Sequence, residues 1–117
     1  RDFNYCRDTA AGFIAIAEAE NVAGEEINIA TQTEISVGDL AQKLIDMINP
    51  SARIICEEKR MRPEKSEVRR LLGANGKIKS LTSWTPRWSL DDGLKETVKW
   101  FRKPEVQARY KANIYNV

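Results

Sequence analysis

The sequence predicts a small mixed α/β fold in which short strands are packed by about four helices. Three observations predict it. Apolar residues recur at helical spacing behind residues suited to helix starts, two isoleucine-rich stretches at 26–30 and 53–56 have the length and composition of short strands, and no repeat, low-complexity run or long linker interrupts the 117 residues. A chain of this length forms one domain or part of one.

The elements follow in order. Asp8 reads as the N-cap of a helix whose apolar positions Ala10, Phe13, Ile14 and Ala17 obey the i, i+3, i+4, i+7 rule and which ends before Gly24. In the stretch 26–30, Ile27 and Ile29 face one side and Asn28 the other, so Asn28 is exposed or in a site. Ser36 caps a second helix, with Asp39 at N3 and Ile35 and Leu40 as a hydrophobic staple. Its stripe is Val37, Leu40, Ala41, Leu44, Ile45 and Ile48, and Asn49-Pro50 stops it. The second strand, 53–56, leads into a charged loop around Pro63. Asn75 starts a short helix through Leu81, and Trp84 and Trp88 anchor the turn that follows. Ser89 caps the next helix, with Asp92 at N3 and Leu90, Leu94, Thr97, Val98 and Phe101 turned inward, and Pro104 opens a last helical turn.

Composition excludes several classes of chemistry. Histidine is absent, which removes Ser-His, Cys-His and HExxH arrangements from this chain. Cys6 and Cys56 are too few for a disulfide framework and lack zinc-ligand spacing, so both are expected as small core residues, and no metal site is expected. A formal charge of +2 with 31% charged residues describes interspersed signs rather than a basic field for nucleic acid or an anionic membrane. No apolar run reaches the roughly 20 residues of a membrane span, and the amino terminus lacks a secretion-signal pattern. A soluble, cytoplasmic chain is expected.

Residues 59–70 carry the strongest chemical signal, with fork-shaped cations and carboxylates gathered around one proline. A guanidinium grips phosphate oxygens through parallel charge-assisted hydrogen bonds, and a carboxylate accepts from the two hydroxyls of a ribose. Arg62 and Glu67 are the candidates for those roles in binding a nucleotide diphosphate. A nucleic-acid backbone fits poorly, because Glu57, Glu58, Glu64 and Glu67 are interleaved with the cations.

Three segments, in order, carry a resemblance: residues 1–8 with their Arg-Asp-aromatic motif, residues 24–30 followed by the Ile35-Ser36 helix start, and the Arg-Pro-Glu-Lys-Ser-Glu-Val run at 62–68. The chain resembles, over essentially its whole length, the carboxyl-terminal third of extended short-chain dehydrogenases acting on nucleotide sugars. Its likeness is greatest to NAD-dependent UDP-N-acetylhexosamine 4,6-dehydratases and their epimerase relatives. The resemblance implies that residues 1–117 form a single substrate-binding lobe without the Rossmann domain, with a native carboxyl end and an interrupted amino end. It implies that Arg1 and Asn28 contact the nucleotide of a nucleotide diphosphate sugar, that Arg62 neutralises the diphosphate and that Glu67 holds the ribose. NAD is implied for the complete family enzyme. This chain has neither a GxGxxG turn nor a tyrosine followed four residues later by lysine, so no cofactor and no catalytic residue is assigned to it, and alone it is expected to be inactive. Expected partners are the sugar nucleotide, an N-terminal Rossmann domain where one is intact, and a second copy of the lobe through apolar surface left uncovered. A stand-alone, non-catalytic nucleotide- or protein-binding module from a truncated gene is the alternative.

Overall fold

The computed structural model of the chain describes residues 1–56 and 68–110. Among the described residues five helices form in chain order: α1 (Cys6–Glu18), α2 (Val37–Ile48), α3 (Gly76–Leu81), α4 (Leu90–Phe101) and α5 (Pro104–Gln107). The serine-led starts behave as local chemistry dictates. Ser36 Oγ accepts the Asp39 amide at 2.9 Å and Ser89 Oγ accepts the Asp92 amide at 3.1 Å, each hydroxyl also donating to that aspartate's carboxylate at 2.7 Å. Pro104 stands in the first turn of α5, where its missing N–H costs nothing.

α1 begins differently from the expectation. Its N-cap is Tyr5, with no side-chain cap, and Asp8 lies within the first turn of the helix, 2% exposed. The Asp8 carboxylate accepts the amides of Arg87 and Trp88 at 3.0 to 3.1 Å, and the Asp8 carbonyl accepts the Trp84 indole N–H at 2.9 Å. A short carboxylate that could have capped its own helix instead satisfies a turn far away in sequence. The Tyr5 ring tilts onto Trp88 at 4.6 Å, and the Arg7 guanidinium lies 5.5 Å from the Trp88 ring.

The expected mixed α/β class is not what forms. Among the described residues there is no sheet, and the pairing of extended backbone is limited to one isolated antiparallel bridge between Asp2 and Glu34. A strand exists only through a ladder of neighbours. Residues 53–56 have no regular structure, with Ile54 and Ile55 exposed, and around Ile27 and Ile29 the ladder is replaced by bonds from the side chains of Asn4, Asn75 and Asp2. α1 ends at Glu18, and Asn21 and Gly24 turn the chain with positive φ.

The core is small. Ala30, Ile78, Trp84 and Val106 are the buried apolar side chains among the described residues, with α1 set against α3, α2 against α4, and α4 against α5. Lys43 of α2 pairs with Asp91 of α4 at 2.8 Å. Close approach needs glycine at two helix positions: a Cβ on Gly12 would stand 2.8 Å from Ile29 Cδ1, and one on Gly93 would stand 3.1 Å from Tyr5 Cβ. Two expectations about burial fail. Cys6 and Cys56 are exposed rather than in the core, and the stripe Ala10, Phe13, Ile14 and Ala17 faces solvent, because α1 turns Asp8 and Gly12 inward. In α2, Leu40, Ala41, Leu44 and Ile45 are half-buried while Val37 and Ile48 are exposed; in α4, Leu90, Leu94, Thr97 and Val98 are half-buried and Phe101 is exposed. No described helix is long and apolar enough to cross a membrane.

Candidate functional site

Residues 1–4 run antiparallel to residues 29–35. At one end the Arg1 nitrogen donates to Ile35 O at 2.8 Å and the Ile35 amide donates to Arg1 O at 3.0 Å. At the other, Asn4 Nδ2 donates to Ile29 O at 2.6 Å. Between them the Asp2 carboxylate accepts from the Thr31 amide at 3.1 Å, the Thr31 hydroxyl at 2.5 Å and the Gln32 amide at 2.9 Å. Asn75, at the start of α3 and 1% exposed, donates to Ala30 O at 2.9 Å.

Backbone groups of Ile29, Ala30, Thr31 and Gln32 thus end on the side chains of Asn4, Asn75 and Asp2. Buried main-chain polar groups must be paired with something, and here three side chains do what a neighbouring strand would do. Gln32 takes a positive φ of 62° in this clasp. The oxygens Asn4 Oδ1 and Asn75 Oδ1 are buried and accept no bond.

The same clasp gathers the chain that leaves the charged stretch. The Gly73 amide donates at 3.3 Å to Asp2 Oδ2, the oxygen that also accepts from Gln32, and Gly73 approaches Ala30 so closely that a Cβ would collide with the alanine methyl. Arg70 Nε donates to Glu34 at 2.6 Å. That hydrogen bond, foremost, holds the Glu34 carboxyl below the usual glutamate range, and the nearby Arg1 ammonium works in the same direction. The guanidinium of Arg70 is shifted upward by the same pairing.

Of the residues expected to bind substrate, Arg1 is half-buried at the Ile35 end of the pairing and Asn28 is exposed just beyond the Asn4 end. The antiparallel register places these two at opposite ends rather than at one point. Arg62 and Glu67 lie outside the described residues. A cleft of about 390 Å³ opens beside the Arg1 end, between the clasped segment and the turn before α4, with Phe3, Thr31, Glu34, Arg87 and Trp88 among its walls. Its size falls in the range of small-molecule sites. Arg87 offers a cation there and Trp88 a ring face. A wider groove of about 660 Å³, with Tyr5, Arg7, Lys99, Trp100 and Lys103 in its walls, lies on the far side of Asn4. Among the described residues no three His, Cys, Asp or Glu side chains are grouped to hold a metal ion.

Sequence reasoning missed Asp2, Asn4 and Asn75 as organisers. Asp2 and Asn4 stand inside the Arg-Asp-aromatic motif, so the signal was present, but their partners are 25 to 71 residues away.

Comparison with known proteins gives consistent matches. Residues 1–97 match the family described as GDP-mannose 4,6 dehydratase. A UDP-N-acetyl-alpha-D-glucosaminuronate decarboxylase of Bacillus cytotoxicus is 33% identical over 107 residues, covering 90% of this chain and 33% of that protein. A dTDP-D-glucose 4,6-dehydratase of Mus musculus is 32% identical, covering 88% and 29%, and a UDP-glucuronate 4-epimerase of Thermodesulfobacterium geofontis is 30% identical, covering 88% and 30%. The chain therefore spans about a third of the length of these relatives. No solved structure matches.

Proposed function

Because the chain belongs to the GDP-mannose 4,6 dehydratase family of nucleotide-sugar epimerases and dehydratases, we propose that it is the nucleotide-sugar-binding portion of such an enzyme. In this reading Arg62 neutralises the diphosphate, Glu67 accepts from the ribose hydroxyls, and Arg1 and Asn28 contact the rest of the nucleotide. The names of the relatives support the ligand class. They share a nucleoside diphosphate sugar but differ in base, in sugar and in reaction, so a lobe similar to all of them is suited to the shared part. UDP is the nucleotide proposed; it is named in two of these relatives, dTDP is named in another and GDP in the family description. A cytoplasmic setting goes with this reading.

The observation that supports it best is the Asp2 clasp. One carboxylate bonds both the segment that follows Asn28 and the backbone at Gly73, so it ties that segment to the described chain that follows residues 62–67 in sequence.

The described residues do not fit a dinucleotide cofactor. No helix among them follows a strand through a glycine-rich turn: α1 and α5 start after Tyr5 and Lys103, α2 and α4 start with their amides engaged by Ser36 and Ser89, and α3, a helix of six residues, begins at Gly76 shortly after Gly73 but follows no strand. The redox chemistry on the hexose is therefore assigned to the part of the family fold that this chain does not span.

Calorimetric titration with UDP and with uridine tests the reading. UDP is expected to bind, uridine to bind at least about tenfold more weakly, and Arg62→Ala to remove the difference, since a charge-assisted phosphate contact contributes roughly 1.5–3 kcal/mol. Equal affinity for UDP and uridine, or an Arg62→Ala variant that still prefers UDP, sinks it.

A further inference from the structure

Asn75 carries a hydrogen-bonding deficit that lies wholly inside the chain. The residue is 1% exposed, and its Nδ2 donates to Ala30 O at 2.9 Å. That bond fixes which way the side-chain amide faces, because a carbonyl oxygen can only accept and the reversed amide would set two oxygens against each other. Oδ1 is the atom left over, buried and with no donor from the protein. A buried acceptor of this kind is ordinarily paired, with protein or with an ordered water.

A matching deficit lies three residues further on. Ile78, in α3, is 0% exposed, and its amide meets no acceptor among the described residues; Lys79 is the first amide of α3 to bond back, to Asn75 O at 3.2 Å. Three residues is the separation at which an asparagine before a helix ordinarily takes such an amide on its own side chain. Asn75 makes no such cap. Its backbone, at φ −108° and ψ 8°, lies outside the extended region that a capping residue uses, and its side chain is committed to Ala30.

The chemistry of the two groups selects the occupant that joins them. It must donate to Asn75 Oδ1 and accept from the Ile78 N–H. A metal ion cannot accept and a simple anion cannot donate, whereas water does both. With exposures of 1% and 0%, the two residues offer no surface to a second chain or to the remainder of the family fold. Gly76 stands between them without a side chain, and a Cβ there would meet nothing within 4 Å, which leaves room alongside.

We propose that one buried water molecule bridges Asn75 Oδ1 and the Ile78 amide, and so joins α3, through Asn75, to Ala30 in the segment clasped by Asp2. The proposal is independent of nucleotide binding.

Water-selective NMR on the folded chain tests it. The Ile78 amide is expected to show a cross-peak to the water resonance whose laboratory-frame and rotating-frame signs are opposite, as a long-lived internal water gives and proton exchange does not. Absence of that cross-peak overturns the proposal. A scalar coupling across a hydrogen bond from the Ile78 nitrogen to Asn75 Cγ overturns it equally, since Asn75 then caps the amide directly. So does a high-resolution crystal structure with no water density within hydrogen-bonding distance of both Asn75 Oδ1 and the Ile78 nitrogen.

Discussion

The carboxylate of Asp8, in the first turn of α1, accepts the backbone amide of Trp88 at 3.0 Å across eighty residues of sequence. With the Arg87 amide on the same carboxylate and the Trp84 indole on the Asp8 carbonyl, it ties α1 to the turn that starts α4. Asp8→Ala leaves two amides without their acceptor and is expected to destabilise the fold by about 2–4 kcal/mol. Urea denaturation followed by tryptophan fluorescence measures this. A loss within experimental error of zero would show that water replaces the carboxylate.

The two serine caps are expected to act separately. Ser36→Ala and Ser89→Ala each remove one acceptor from a helix start, and each is expected to cost about 1 kcal/mol. The caps serve different helices, so their effects should add in the double variant. A double variant no less stable than either single one contradicts this.

Much of the helical layout was legible because its causes are local. A serine followed three residues later by an aspartate, with apolar residues at helical spacing behind it, needs no distant partner, and Ser36 and Ser89 begin helices as expected. The strands were not legible, because a strand depends on a neighbour the sequence does not name. The alternation around Asn28 put it on the side opposite Ile27 and Ile29, exposed or in a site, and Asn28 is exposed with Ile27 and Ile29 half-buried, yet no strand forms and the backbone bonds go to Asn4, Asn75 and Asp2. The stripe on α1 was legible as a stripe, but periodicity marks which residues share a face and not whether anything covers it. For the site, the chemistry of Arg62 and Glu67 could be argued from residue type alone. The clasp between Asp2 and Gly73 could not, because these residues are 71 apart in sequence.

Two glycines should respond differently to alanine. A methyl on Gly12 meets three side-chain carbons of Ile29, Cδ1 at 2.8 Å, Cγ2 at 3.0 Å and Cγ1 at 3.1 Å, while alanine is the better helix former by about 1 kcal/mol, so Gly12→Ala is expected to cost less than Gly73→Ala and to become milder together with Ile29→Val, which removes Cδ1. A methyl on Gly73 meets the Ala30 methyl, which cannot rotate away, so Gly73→Ala is expected to cost about 1–3 kcal/mol. Thermal melts of these variants decide. Equal costs at the two positions would contradict the distinction.

Acid should weaken the fold through three surface carboxylates. Glu25 is held below its ordinary range by the hydrogen bond from Lys77, Glu34 by that from Arg70, and Asp92 by the Ser89 hydroxyl and then Lys95. Each is easier to ionise folded than unfolded, so its contribution is complete above the unfolded value and is lost as pH falls through the folded one, on the acid side of about pH 4. Arg70→Gln is expected to move the Glu34 titration upward, read by carboxyl-carbon NMR. A Glu34 curve unchanged in that variant contradicts the pairing. High salt should diminish the whole effect.

Amide-resolved NMR titration of the full chain with UDP tests most directly the proposal that the segment clasped by Asp2 and residues 62–67 contact one nucleotide. Saturable shifts at Asn28, at Arg62 to Glu67 and along the backbone to Gly73 are expected, weakened together by Asp2→Ala while Ser89→Ala leaves them in place. Shifts confined to the Arg7, Lys99 and Lys103 groove, or spectra unmoved by UDP in a folded chain, would contradict it.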